Sequence, residues 1–266
     1  MLKHENFRDW NFLLGKAFCA SDPTEAFETA VEAIRALTDC ESCYFIFFRK
    51  DQTPVIAHPQ SLPLEGQLYT DGPYLIDPFY LAWTDKGKTG TFLLRDIAPG
   101  HLPSSKRYRD YLSSMYGPVD ELATTIALPD QAAAHISLSR RIEVGRYGKK
   151  DLALLEAAAP LLGSLMTQLW EKLQTSVDSG QQQMSRHLEF YASFGRGVLT
   201  EREYDVAHLL LKGYNAAEIG PILSISTGTA RNHMKQIYGK FEVSSQAELA
   251  GLFIEQLMAE IDGVGG

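Results

Sequence analysis

Two groups of side chains in this 266-residue sequence could do chemistry. The first lies between Ser226 and Phe241, a stretch with three Lys or Arg residues and no acid. Thr227, Arg231 and Lys235 recur one helical turn apart, Asn232 and Gln236 flank them, Thr229 sits within the run and Lys240 near its end. Arg and Lys can bond guanine O6 and N7 or neutralise phosphate, and Asn and Gln can read adenine, so the group is a candidate duplex-DNA interface. Gly228 leaves no side chain near the helix start, where backbone could approach DNA. The plainer alternative is a solvated polar face on an ordinary helix.

The second group is Tyr74, Asp77, Tyr80 and Trp83, spaced by three, with Phe79 beside them. On a helix they form one aromatic face with a carboxylate in it, and a buried carboxylate needs partners. Two kinds of partner suit Asp77. One is a ligand amide or ammonium; the other is a helix start, which Asp-Pro commonly marks. The two roles can coexist. Tyr108 and Tyr111, on a helix capped by Ser104, and His135, on a strand, complete the candidate ligand-binding set. A lone strand histidine is more often a hydrogen-bonded core residue. Cys40 and Cys43 form a C-x-x-C with no second pair, which favours packing over a redox or metal role. No nucleophile–base–orienter grouping, phosphate-binding glycine loop or zinc quartet is visible. No catalytic residue, metal ligand or cofactor is therefore assigned, and the chain is not read as an enzyme.

The DNA-type residues sit in a run of four short helical signals. Thr200-x-x-Glu203 is a capping box that starts a helix running to about Lys212, where Gly213 supplies a left-handed stop. Asn215-x-x-Glu218 opens a second, ending near Leu223. Ser224-Ile225-Ser226 is a tight turn, and Ser226 caps the third. Ala230, Met234, Ile237 and Phe241 give that third helix a face to bury. Ser245-x-x-Glu248 caps a fourth. Two short helices joined by a three-residue turn, the second basic on one side, describe a helix-turn-helix.

The residues Leu199-Thr200-x-Arg202-Glu203, Gly213-Tyr214-Asn215-x-x-Glu218-Ile219, Leu223-x-Ile225-Ser226-x-x-Thr229-x-Arg231-x-His233, Ile237-Tyr238-x-Lys240-Phe241-x-Val243-x-Ser245 and Ala247-Glu248-Leu249 follow in order without gaps. This stretch resembles the LuxR/FixJ (GerE-type) DNA-binding domain of bacterial transcription regulators. The resemblance implies a third helix that enters the major groove and a fourth that helps dimerise. Three positions depart from it: Pro221 inside the second helix, Gln246 where an arginine is usual, and Ala230 where valine is usual.

The net charge of −8 looks wrong for a DNA binder. Residues 199–266 carry five basic and nine acidic side chains, so the cations are local to one helix. Electrostatics acts through patches, and an acidic chain of this kind needs a dimer reading two half-sites roughly 34 Å apart. Three cysteines make no disulfide framework, and neither a signal peptide nor an uninterrupted membrane-spanning apolar run is present, so the expected location is the cytoplasm.

In the front half, residues 4–20 and 24–38 read as helices, and Cys43–Phe48 and Thr53–Ala57 as a hairpin. Gly90–Arg95 reads as a strand, and Asp120–Leu128 and Ala132–Arg140 as two antiparallel strands turning at Pro129-Asp130. A long helix follows, from Leu152 to about Leu173. The predicted architecture is an α+β sensor domain with an antiparallel sheet of about five strands flanked by helices, then an all-α four-helix domain. The predicted division is 1–175 sensor and dimerisation, 176–197 linker, 198–266 DNA binding. The front half is similar to the PAS/GAF-like, autoinducer-binding half of LuxR-type regulators. In that family the carboxylate of an Asp-Pro holds a signal amide, which here implies Asp77. Thirteen residues earlier, where acyl-homoserine-lactone receptors usually have tryptophan, stands Leu64, which argues against a lactone signal.

The function expected is a one-component transcription regulator: a homodimer that binds double-stranded DNA under control of a small-molecule effector, with RNA polymerase a further partner and no membrane. A ligand-free dimerisation or interaction module is the alternative, and a hydrolase-like enzyme built on Cys43, His135 or Asp77 a distant one. A phosphorylatable receiver is rejected, because no paired acids follow the first strand, which ends Phe47-Phe48-Arg49-Lys50.

Overall fold

The structure is a computed structural model that describes residues 4–50, 52–58, 69–70, 72–97, 119–173 and 180–264. Helices α1 (His4–Cys19) and α2 (Pro23–Leu37) come first. Asp22 starts α2 by accepting the Glu25 N–H at 3.0 Å, with Pro23 at the first position, where its missing N–H costs nothing. Strands β1 (Ser42–Arg49) and β2 (Gln52–His58) form a hairpin. A 3-10 turn (Pro73–Ile76) and helix α3 (Pro78–Thr84) follow, then β3 (Gly90–Leu93) and a four-residue helix α4 (Leu94–Ile97). The strand expected to reach Arg95 thus ends at Leu93. Leu94 instead turns to pack with Phe79 and Ala123, and Arg95 reaches Asp120 at 3.1 Å and the Tyr147 carbonyl at 2.7 Å. The helix expected after Ser104, with Tyr108 and Tyr111, lies outside the described residues.

β4 (Val119–Leu128) and β5 (Ala132–Arg141) complete one antiparallel sheet of order β2-β1-β5-β4-β3. Their turn uses positive φ at Asp130 and Gln131, a conformation that short polar side chains tolerate best. Alternation gives the sheet two distinct faces. On one, Phe45, Phe47, Leu122, Ile136 and Leu138 meet α1, α2 and the long α5 (Lys149–Leu173). Helix α5 is apolar and long enough to cross a membrane by composition, but it lays Leu162, Leu165, Met166 and Trp170 into this core. On the other face, Ile46, Phe48 and Ala133 meet Tyr74, Leu75 and Tyr80.

Helix α6 (Gly180–Ser193) occupies the expected linker and leads into α7 (Glu201–Leu211), α8 (Ala216–Leu223), α9 (Thr227–Lys240) and α10 (Gln246–Val264). Phe194 stacks on Phe241 at 5.2 Å and meets Phe253 edge-on at 5.3 Å, so the end of the joint belongs to the rear core. The two halves also touch directly. Ile76, 2% exposed, belongs to the same apolar cluster as Phe253 and Leu257. Gly72 lies so close to Leu257 that a Cβ there would sit 2.5 Å from its methyl group. Asp85 pairs with Lys212 at 3.0 Å, and the Lys86 ammonium lies 5.0 Å from the Tyr214 ring centre.

Ile76→Ala should therefore remove about 2–5 kcal/mol of packing shared by the two halves. Scanning calorimetry is expected to show a lower and split melting transition, whereas Val55→Ala, at a partly buried position packed against the front core alone, should leave the transition single.

Candidate nucleic-acid interface and effector site

The rear domain positions its cationic helix with local hydrogen bonds. Thr200 accepts the Glu203 N–H at 3.4 Å while Glu203 accepts the Thr200 N–H at 2.8 Å, a complete capping box. The Lys240 ammonium donates to the same Glu203 carboxylate at 2.6 Å, and together they hold Glu203 down at about 2. Gly213 takes φ +85° to stop α7, and Asn215 with Glu218 forms a second capping box on α8. The following turn passes tightly over α8. Ile225 donates its N–H to the Gly220 carbonyl at 2.9 Å, and a Cβ on Gly220 would come 3.0 Å from the Ile225 oxygen. Ser226 then caps α9 through the Thr229 N–H at 3.0 Å.

On α9, Ala230 and Ile237 are fully buried, and Met234 and Phe241 pack partly against the same core. The opposite side carries Arg231, Asn232, Lys235 and Gln236, all exposed and without side-chain hydrogen bonds or ion pairs among the described residues. Thr227 is half-buried at the start, and the Thr229 hydroxyl lies 2.8 Å from that of Ser226. Lys240 points instead to Glu203 and the Val198 carbonyl. Gly228 meets only the Ser226 hydroxyl oxygen, 3.6 Å from an added Cβ, so nothing inside the domain requires a glycine there. Gln246 is buried and donates to the Leu210 carbonyl at 2.8 Å, closing the end of α7. Pro221, in the middle of α8, is exposed.

In the front domain the structure brings Tyr74, Asp77, Phe79, Tyr80, Trp83 and His135 together around Phe48. Tyr108 and Tyr111 lie outside the described residues. The aromatic face is not one helix. Asp77 takes φ −66° and ψ 122°, the extended geometry favoured before proline, and divides a 3-10 turn from α3. The three-residue repeat of the 3-10 turn keeps Tyr74 and Asp77 on one side. One Asp77 oxygen accepts the Phe79 N–H at 2.8 Å, and the other accepts the Tyr69 hydroxyl at 2.6 Å. Burial raises the Asp77 pKa against these two bonds.

Sequence reasoning passed over Tyr69, Thr125, Glu121 and Ser137. The His135 Nδ1 lies 3.0 Å from the Thr125 hydroxyl, and its ring stacks on Phe48 at 4.8 Å; burial lowers its pKa to about 3, so the imidazole is neutral. Ser137 donates to Glu121 at 2.5 Å. Burial, then the Asp77 charge, pushes Glu121 up to about 7. A signal was available. Glu121 and Thr125 alternate along one strand, His135 and Ser137 along the next, and the register pairs Thr125 with His135 and Ala123 with Ser137. A hydrogen-bonding surface thus faces Asp77, walled by aromatic rings, a composition suited to orienting a small molecule.

An exposed cationic helix held by a tight turn on a second helix defines a helix-turn-helix DNA-binding regulator. Comparison with known proteins gives the family. The pattern of bacterial regulatory proteins of the luxR family (GerE) matches residues 197–253. A putative HTH-type transcriptional regulator in the exeN 3' region of Aeromonas salmonicida is 31% identical over 188 residues, 68% of this chain and 95% of that protein. The nitrate/nitrite response regulator NarP of Escherichia coli (strain K12) is 38% identical over 63 residues, 24% of this chain and 29% of its own length. The VqsR LBD domain of Pseudomonas aeruginosa shares the front fold, with a TM-score of 0.52 and 24% identity over 61% of this chain and 96% of that one. The chain belongs to the LuxR family of DNA-binding transcription regulators.

Arg231→Ala should weaken specific DNA binding by about 1–3 kcal/mol if Arg231 reads a base, and should lower affinity alike for all sequences, with a shallower salt slope, if it meets only phosphate. Titration of labelled duplexes at several salt concentrations separates the two.

Glu121 supplies a pH prediction. Its folded pKa of about 7 lies above the ordinary 4.5, so the fold retains a proton that the unfolded chain has lost. Stability should fall as pH rises from about 4.5 to 7 and level off above. Glu121→Gln should raise the melting midpoint at pH 8 and change it little at pH 4.5.

Proposed function

We propose that this regulator is a one-component sensor. Residues 1–175 sense a small molecule or supply a dimer platform, 176–197 join the halves, and 198–266 bind DNA. The observation that carries this reading is the exposed Arg231–Lys235 side of α9, unpaired among the described residues, in a chain whose front half holds a separate aromatic and hydrogen-bonding surface. A homodimer would place two such helices in successive major grooves, roughly 34 Å apart. Contacts to RNA polymerase belong to the same reading.

The effector would lie beneath α3, against Asp77, Tyr80, His135 and Glu121. An amide, amine or carbonyl compound suits those groups, and Leu64 argues against a standard acyl-homoserine lactone. An effector changes the output only through different affinities for two domain arrangements. The turn Pro73–Ile76 is the route this reading assigns, since Asp77 adjoins Ile76, which packs in the rear core. One observation favours the ligand-free alternative: both Asp77 oxygens already have partners, Tyr69 and Phe79.

A thermal-shift screen of amines, amides and carbonyl compounds, followed by footprinting on duplexes selected by the protein itself, tests the reading. A hit should raise the melting point, lose its effect in Asp77→Asn, and change half-site spacing or affinity. A screen with no hits, on a protein that footprints normally, leaves the ligand-free module.

A further inference from the structure

A second space lies between the front domain and α6; it shares Tyr80 and Trp83 with the aromatic set of the front domain but opens away from its polar groups. It is a cleft of about 560 Å³, and neither Asp77, Glu121, His135 nor Ser137 borders it. Tyr80, Trp83 and Leu128 wall it on the front side, and Leu188 and Tyr191 of α6 on the other. Leu188 is 43% exposed, a large apolar side chain left at the edge of a ring-lined opening. Such volume and lining are those of a small-molecule site.

The charges at its rim narrow the class. Lys50, Asp85 and Lys212 border the cleft. Lys212 and Asp85 neutralise each other at 3.0 Å, while Lys50 is exposed and makes no ion pair among the described residues. Among the described residues the rim therefore carries one positive charge with no ion-pair partner. A cation would be repelled by it, and a neutral molecule would leave it unused; an anion on a flat apolar body satisfies both rim and walls.

We propose that this cleft is a binding site for small aromatic carboxylates, whose ring enters between Trp83 and Tyr191 and whose carboxylate meets Lys50. The site exists only while α6 and Lys212 lie against the front half, because they supply its second wall and part of its rim. Occupation therefore stabilises the docked arrangement by simple linkage. This goes beyond the function proposed above and does not depend on an effector beneath α3.

The full-length protein with 1-naphthoate as probe, and neutral 1-naphthamide beside it, tests the site. Trp83 is the reporter, because Trp10 and Trp170 are each 4% exposed in the main core. Naphthoate should quench tryptophan fluorescence saturably, and the amide should bind at least about tenfold more weakly, as expected for a lost charge-assisted contact. Lys50→Gln should bring the two probes level. Leu188→Glu, at an exposed position that leaves the circular dichroism unchanged, should lose naphthoate. Absence of saturation at about 1 mM, a weak affinity by any measure, overturns the site. So does naphthoate affinity that survives Leu188→Glu, or that falls in Asp77→Asn instead.

Discussion

One turn of backbone serves both halves of the molecule. Between Gly72 and Asp77 the chain places Ile76 among the apolar side chains of the rear core and Asp77 under the front sheet. Burial of Ile76 and the cap that Asp77 gives to α3 are thus coupled through a single peptide bond. The break imposed before Pro78, with ψ 122°, lets them face different cores. The ion pair Asp85–Lys212 and the Lys86–Tyr214 contact hold the same edge.

The electrostatics of the rear domain is economical. Five cations stand against nine acids, and Lys240 is drawn inward by Glu203. That pair ties the end of α9 to the start of α7 and fixes the angle at which α9 is presented. It also leaves Arg231 and Lys235 as the cations on the open side. With so few, specificity must rest on positioning more than on bulk attraction.

The front sheet has opposite characters on its two faces. The α5 face is ordinary apolar packing. The α3 face combines rings with Glu121, Thr125, His135 and Ser137, each satisfied by a neighbour on the adjacent strand or nearby. Buried polar groups are costly unless paired, and here the pairing draws on strand register, so the sheet itself organises the site.

The local features were legible in the sequence. Capping boxes at Thr200 and Asn215, the stop at Gly213, the Ser226 cap, the Asp77-Pro78 helix start and the alternation in β4 and β5 all depend on neighbours within a few residues, and chain order states them directly. Hence the four rear helices, the five strands and the aromatic set about Asp77 could be read. Tyr69 on Asp77, Glu121 beside it, Gln246 on the end of α7, Lys240 turned to Glu203 and the cleft between the front domain and α6 could not. Each joins residues far apart or on different elements, and no local rule fixes such meetings. They are decided by how faces with apolar area to bury settle against one another, and only the folded chain contains that information.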